Sequence, residues 1–141
     1  MQKLMKSLCA PLFLALTIGG GMSATCARAE EELAPGFHAC TEKAQSTADN
    51  LECLTAAYEY WDRQLNANFK KAQAACEDTP NAKECRARLL KAQRLWIQYK
   101  EAMGDALYGM GGGGTMDSLT VGTFWAEETK KQAQLLGTAG E

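Results

Sequence analysis

Apolar side chains between residues 49 and 76 recur at steps of three or four, which places them on one face of an α-helix. The members of this stripe are Leu51, Leu54, Tyr58, Trp61, Leu65, Phe69, Ala72 and Cys76. Asp49 followed by Glu52 resembles a capping pair at the start of the helix. Thr79 and Pro80 predict its end, and they provide an N-cap and a first-position proline for a following helix.

A second stripe with the same spacing follows that turn. Its members are Cys85, Leu89, Ala92, Trp96, Tyr99 and Met103. Two long amphipathic helices joined by a short turn are expected to pack as an antiparallel hairpin. Core packing accounts for the large aromatic side chains on both stripes, including Trp61, Trp96 and Tyr99. No run shows the alternation of a β-strand, so the predicted fold class is all-α.

Residues 109–118 contain four successive glycines and predict a mobile loop, because ordering them costs backbone entropy. These glycines are Gly111, Gly112, Gly113 and Gly114. Ser118 can cap a third helix that reaches Leu136 and closes the hairpin. The residues expected near one face of that helix are Val121, Phe124, Trp125, Gln132 and Leu135. Residues 41–47 also allow a shorter helix.

The N-terminus has the pattern of a secretory signal peptide. Two lysines precede an apolar stretch, Leu8–Ile18, and Ala27-Arg28-Ala29 forms an A-x-A cleavage site. The stretch is shorter than the roughly 20 apolar residues of a membrane-spanning helix. We therefore predict that residues 1–29 are cleaved and that residues 30–141 form one domain. A lipid anchor on Cys26 is the alternative, which the residues directly before it do not favour.

The composition, with 46% hydrophobic and 23% charged residues among 141, is that of an ordinary folded domain. The full chain has 15 basic and 17 acidic side chains, and cleavage would leave 12 basic and 17 acidic ones, a net charge of −5. An acidic exported domain attracts cationic partners at long range. The same charge argues against nucleic acid or an anionic membrane as a partner.

Cleavage would also leave four cysteines, Cys40, Cys53, Cys76 and Cys85. An even number in a short exported chain predicts two disulfides, with three possible connectivities. We expect local pairing of Cys40 with Cys53 and of Cys76 with Cys85. A metal site, haem attachment or a redox pair is the alternative, but the spacing contains no C-x-x-C and His38 is the only histidine.

No arrangement of residues indicates catalysis, a cofactor or a metal. The glycine run lacks the Gly-Lys-Ser/Thr ending of a phosphate loop. The cations of the second helix predict a solvated face rather than a nucleic-acid site; they are Lys83, Arg86, Arg88, Lys91 and Arg94. Irregularly spaced methionines, Met103, Met110 and Met116, are weak candidates for soft-metal capture. Carboxylates are plentiful, but no pair must converge in a pocket.

Residues 92–102, AQRLWIQYKEA, are similar to the signature A-Q-R-x-W-x-x-Y-R-D/E-A of the lysozyme inhibitor LprI-like family. The matching residues include Gln93, Arg94, Trp96 and Tyr99, whereas Lys100 stands where arginine is usual. Upstream, residues 58–69 resemble the family's D-x-x-L-N-x-x-Y/F element. That element is carried by Asp62, Leu65, Asn66 and Phe69. Cys40 and Cys53 match the family's two early cysteines, and Thr129, Lys131 and Leu135 resemble its last sequence element. The resemblance therefore spans residues 40–136.

One departure from the family pattern concerns a further pair of cysteines that members often have. Here those places hold Gly104 and either Phe124 or Trp125. Both cysteines are missing together, as expected if they form one bridge. We therefore predict that aromatic packing of Phe124 and Trp125 holds the third helix.

The resemblance implies a periplasmic or secreted, non-enzymatic helical protein that inhibits lysozyme by binding it and occluding its sugar cleft. The expected partner is a cationic lysozyme, whose association an acidic body accelerates. Candidate contacts are the glycines 111–114 in their loop and the acidic start, Glu30–Glu32. An envelope interaction module unrelated to lysozyme is the alternative, and a carrier of small molecules or metals ranks third.

Overall fold

The computed structural model describes residues 32–139. Its elements are α1 Phe37–Thr41, α2 Thr47–Ala75, a 3-10 turn Cys76–Asp78, α3 Ala82–Gly111 and α4 Thr115–Gly137. The described residues contain no β-strand. This confirms the predicted all-α class, with two long helices, a third C-terminal helix and two disulfides. The predicted signal peptide, residues 1–29, lies outside the described residues.

The N-cap of the long helix α2 lies three residues before the predicted one, Asp49. Ser46 is the N-cap, and its Oγ accepts a hydrogen bond from Asp49 N at 3.1 Å. Asp49 Oδ2 in turn accepts from Gln45 N at 2.8 Å. Asp49 therefore stabilises the start of α2 from its third position, and Glu52 is not part of the cap. The short helix α1 also lies earlier than the expected 41–47 segment.

The connection from α2 to α3 is tightened by a 3-10 turn and a disulfide. Thr79 Oγ1 donates to Cys76 O at 2.7 Å, so it closes the turn after α2. The prediction that Thr79 caps α3 is wrong, because Asn81 occupies that position. Cys76 and Cys85 are bridged across the turn. The second disulfide, Cys40–Cys53, joins α1 to α2.

The loop predicted at residues 109–118 is much shorter in the structure. Helix α3 continues to Gly111 and α4 starts at Thr115, so only 112–114 are non-helical. Gly112 (φ 98°) and Gly113 (φ 81°) adopt the left-handed conformation that glycine tolerates. Asp117 Oδ2 accepts from Gly114 N at 2.8 Å, which replaces the predicted Ser118 cap. Backbone hydrogen bonds across the turn outweigh the entropic cost of ordering the glycines.

Helices α2 and α4 run parallel and share the most extensive backbone contact in the molecule. Ala126, Thr129 and Ala133 line the α4 side of this seam and are fully buried, each with 0% of its surface exposed. A Cβ on Gly122 would lie 3.2 Å from Leu54 Cδ1. Small side chains at steps of three and four thus permit the close approach of the two helices.

The face predicted for α4 was therefore wrong in part. Leu135, expected near that face, is 63% exposed, whereas Leu136 is 5% exposed and belongs to the core. Leu136 is the large apolar residue at the end of the seam, whereas Val121 and Phe124 are half-buried and Trp125 is exposed, because the earlier seam positions admit only small residues. The core on this side consists of Leu65, Ala72, Ala133 and Leu136, with Trp61, Phe69, Leu89 and Trp96 packed against it.

Helix α3 runs antiparallel to α2 and packs mainly against α4. Its inward face is rotated relative to the predicted stripe. Tyr99 and Met103 are 47% and 36% exposed, whereas Lys100 is only 8% exposed and Gly104 is buried. The prediction that Tyr99 belongs to the core is wrong. The rotation follows from the position of α3 over α4 rather than squarely over α2.

The segment before α1 covers the outer side of the α2–α4 seam. Trp61 Nε1 donates to Leu33 O at 2.6 Å, and Lys130 Nζ donates to Glu32 O at 2.9 Å. The Glu32 carboxylate accepts from His38 N at 2.7 Å, and this hydrogen bond lowers the pKa of Glu32. No helix within residues 32–139 combines the length and hydrophobicity needed to cross a bilayer.

Overpacking the seam should destabilise the fold. We expect Ala133→Leu to lower the free energy of unfolding by about 1 to 3 kcal/mol, because the buried site has no room for three further carbons. Ala106→Leu, on the exposed face of α3, should change it by less than about 0.5 kcal/mol. Urea denaturation followed by circular dichroism measures both, and equal effects would contradict the close approach of α2 and α4.

The start of α2 should be sensitive to acid. Hydrogen bonds from Gln45 N and the Ser46 side chain lower the pKa of Asp49 below its ordinary value of 3.8. The stabilisation is therefore complete only well above the ordinary pKa of 3.8, and it disappears as the pH falls through the lowered pKa. We expect wild type to be more stable than Asp49→Ala at pH 7 and the difference to shrink toward pH 2. A difference that is independent of pH would contradict the role of the carboxylate.

Candidate functional site

The turn between α3 and α4 presents apolar side chains to solvent. Met110 and Met116 flank the glycines and are 75% and 69% exposed. Tyr108 Oη donates to Gly113 O at 2.8 Å and Gly113 N donates to Tyr108 O at 3.2 Å, so the turn is held in one conformation. Flexible methionine side chains on a fixed turn suit contact with an irregular surface. The predicted binding glycines, 111–114, all lie in or beside this turn.

Charge is distributed unevenly along the bundle. The antiparallel course of α3 places its cationic N-terminal half beside the end of α2, near the Cys76–Cys85 disulfide. The cations at that end are Lys70, Lys71, Lys83, Arg86, Arg88, Lys91 and Arg94. That end also contains Glu77, Asp78 and Glu84, but cations outnumber them there. The half that carries the α3–α4 turn has an excess of acidic residues, namely Asp49, Glu52, Glu101, Asp105 and Asp117, beside the buried Lys100. We call this half the acidic end.

A groove of about 680 Å³ lies at the acidic end, between α2, α3 and α4. Leu51 and Leu54 of α2 line one side, Val121 and Trp125 of α4 line another, and Lys100 of α3 completes it. The volume lies within the range of roughly 300 to 1,000 Å³ found for small-molecule sites. The groove exists because α2 and α4 pack closely whereas α3 rests on α4 and leaves a gap beside α2.

Lys100 is held among three aromatic rings beside this groove. Its Nζ lies 4.7 Å from the centre of the Tyr58 ring, 5.0 Å from that of Trp96 and 6.0 Å from that of Trp125. It donates one hydrogen bond, to Tyr58 Oη at 3.2 Å. No carboxylate within residues 32–139 pairs with it. This is a buried cation stabilised by aromatic faces rather than by an anion.

The residues of the two family elements do not converge on one site. Leu65 is in the core, and Asn66 Nδ2 donates to the Asp62 backbone and carboxylate at 2.8 and 3.0 Å. Gln93 Oε1 accepts from Gln132 Nε2 at 3.0 Å and so links α3 to α4. Trp96 packs against the core, and Arg94 is exposed to solvent. The ring centres of Tyr99 and Phe124 are 6.3 Å apart.

The position of the missing cysteines is informative. A Cβ on Gly104 would lie 2.5 Å from Trp125 Nε1, so the indole rests directly on the backbone of α3. Gly104 and Trp125 thus meet where the resemblance places a bridge. This contact supports aromatic packing between α3 and α4. The small-residue seam with α2 is a second attachment of α4 that the aromatic pattern did not reveal.

The family model described as "Lysozyme inhibitor LprI" matches residues 40–136, well over half of the chain. The chain belongs to the lysozyme inhibitor LprI family. The match includes both disulfides, the three long helices and the acidic end. Comparison with curated proteins and with solved structures finds no match for this chain. Both disulfides are consistent with a location outside the cytoplasm, where thiols oxidise.

Lys100 is the residue of the groove that sequence reasoning missed. In the sequence it stands out only as the replacement of the usual family arginine. Lysine is seldom fully buried, so its type predicted a solvent-exposed position. Its spacing from Trp96 and Gly104, four residues each way, is the signal that places all three on one face. Within residues 32–139 no group of histidine, cysteine or acidic side chains is arranged to hold a metal ion.

Two glycine substitutions on α3 test the contact with Trp125. Gly104→Ala should displace the indole and destabilise the fold by about 1 to 2 kcal/mol, because overpacking outweighs the helix propensity gained. Gly109→Ala has nothing within 4 Å of the added Cβ and should stabilise the fold by about 0.5 to 1 kcal/mol. Thermal unfolding and tryptophan fluorescence measure both effects. The contact is disproved if Gly104→Ala behaves like Gly109→Ala.

Proposed function

We propose that this protein inhibits a cationic lysozyme by binding it at the acidic end and occluding its sugar cleft. The match of the family model to residues 40–136 is the observation that carries the proposal. The charge distribution supports it, because Met110 and Met116, which are 75% and 69% exposed, lie at the acidic end. Cations are concentrated at the opposite end, so a cationic partner is attracted to one end in preference to the other.

The α3–α4 turn is the proposed central contact. Met110 and Met116 contribute apolar surface that is already exposed, so binding requires little rearrangement of the inhibitor. Gly112 and Gly113 leave the tip of the turn without side chains, which permits entry into a concave cleft. Exposed carboxylates around the turn raise the association rate more than the affinity. The mechanism is steric and requires no covalent step.

The acidic start of the domain has a smaller part in this proposal than the turn. Of Glu30–Glu32, the structure describes only Glu32, and its carboxylate accepts a hydrogen bond at the start of α1. That role in the fold leaves the α3–α4 turn as the better supported contact. Signal-peptide cleavage and export to the periplasm or exterior are part of the proposal, and the two disulfides support them.

A cell-wall lysis assay tests the function. Purified protein should protect bacterial cell walls from a cationic lysozyme in a dose-dependent manner, and high salt should weaken this protection. Met110→Ser/Met116→Ser should raise the half-maximal inhibitory concentration by about tenfold, since apolar contacts at the centre of an interface carry much of its energy.

Leu135→Ser is the matched control for this experiment. Leu135 is 63% exposed but lies about 30 Å along α4 from Met116. Its substitution should leave inhibition unchanged. Loss of inhibition in the control alone would indicate that lysozyme binds at the opposite end of the bundle. Absence of protection at micromolar protein, against several lysozyme types, would favour an envelope interaction module with a different partner.

A further inference from the structure

We propose that the groove at the acidic end binds a free fatty-acid-like carboxylate, with the carboxylate on Lys100 Nζ and the hydrocarbon chain along Leu51, Leu54 and Val121. This site is separate from lysozyme inhibition and does not depend on it. Three features of the described residues bear on this proposal. A buried cation without an anionic partner and an apolar groove that leads to it support binding, whereas carboxylates at the rim limit it.

The first feature is the state of the Lys100 side chain. An ammonium group has three N–H donors, and Lys100 Nζ uses one of them, toward Tyr58 Oη. Lys100 is 8% exposed and lines the groove, so the groove is the side from which an acceptor would reach the other two donors. A buried charge is strongly stabilised when an anion supplies the missing acceptors. A carboxylate is an anion of suitable size, with two oxygens for the free donors.

The second feature is the apolar lining beside that ammonium. Leu51 and Leu54 on α2 face Val121 and Trp125 on α4 across the groove. From Leu51 to Tyr58 the groove follows seven residues of α2, about 10 Å, which suits an extended chain of about ten carbons. Because apolar surface dominates the wall, the hydrocarbon part contributes affinity and the carboxylate contributes orientation.

The third feature is the charge at the rim of the groove. Glu101 and Asp105 line it on the α3 side and are exposed to solvent. They oppose the approach of any anion, but solvent screens them, whereas Lys100 acts at close range in a buried site. The rim therefore weakens binding without preventing it. It also disfavours head groups with more than one negative charge.

Isothermal titration calorimetry with decanoate, below its micelle-forming concentration, tests the site. We expect one decanoate per chain with micromolar affinity. Decanol lacks the charge and decyltrimethylammonium reverses it, so both should bind at least about tenfold more weakly. Decyl phosphate, with up to two negative charges, distinguishes a phosphate from a carboxylate head group and should also bind more weakly. Equal affinity for decanoate and decanol, or no heat with decanoate, would overturn the proposal.

Substitutions locate the site and separate it from lysozyme inhibition. Lys100→Met retains the length of the side chain without its charge and should weaken decanoate binding by at least about tenfold. Lys91→Met removes an exposed cation of the same helix and should have no effect. Thr55→Trp fills the groove from an exposed position of α2 and should prevent binding even if Lys100→Met fails to fold. Unchanged decanoate affinity in folded Lys100→Met would refute the site.

Neutralising the rim gives effects of opposite sign on the two functions. Glu101→Gln/Asp105→Asn should tighten decanoate binding a few-fold, because repulsion is removed. The same variant should slow association with a cationic lysozyme. Failure of lysozyme inhibition leaves the decanoate result intact, and failure of decanoate binding leaves the inhibition result intact. Weaker decanoate binding in this variant would contradict the proposed position of the carboxylate.

Discussion

The close parallel contact between α2 and α4 determines the rest of the architecture. It depends on side chains no larger than threonine at four successive seam positions of α4, namely Gly122, Ala126, Thr129 and Ala133. Asn68 Nδ2 crosses the seam to Ala133 O at 2.8 Å and fixes the register of the two helices. With these two helices in contact, α3 packs on the outside of the pair and mainly against α4. Long aromatic and basic side chains then bridge the wider gap between α3 and α2.

That wider gap explains why Lys100 is buried without an anionic partner among residues 32–139. Tyr58, Trp96 and Trp125 surround the Lys100 ammonium, and their ring faces compensate for part of its lost hydration. The same three helices leave an apolar groove beside it. The groove and the methionine-flanked turn occupy the same half of the bundle, where exposed carboxylates also gather. The opposite half, tied by the Cys76–Cys85 disulfide, is cationic, and its cavity of about 510 Å³ is lined by Pro80, Asn81 and other small or charged residues rather than by large apolar side chains.

Covalent and packing contacts perform equivalent roles in this chain. Cys40–Cys53 and Cys76–Cys85 close short loops at the two ends of α2, and each such closure contributes about 3 kcal/mol in the chain-entropy model. The family resemblance places a further bridge between α3 and α4, where this chain has Gly104 beneath the Trp125 indole. A large ring resting on a glycine fills the space that a bridge would occupy. Packing therefore holds α4 in place, both through this contact with α3 and through the small-residue seam with α2.

The amino-acid sequence by itself determined the helical class and the order of the long helices, and it favoured the pairing of neighbouring cysteines among three possible connectivities. These properties follow from local periodicity and short separations. The sequence also indicated the family, through motifs on α2 and α3. The α2 stripe is buried as predicted at Leu54, Leu65 and Ala72, but only the tertiary structure decided which faces of α3 and α4 are buried. Tyr99 and Leu135 fit an apolar stripe yet are exposed, whereas Lys100 and Thr129 are buried. The reason is that burial depends on which helix is the neighbour and at what distance, and small residues set that distance without contributing to a hydrophobic pattern.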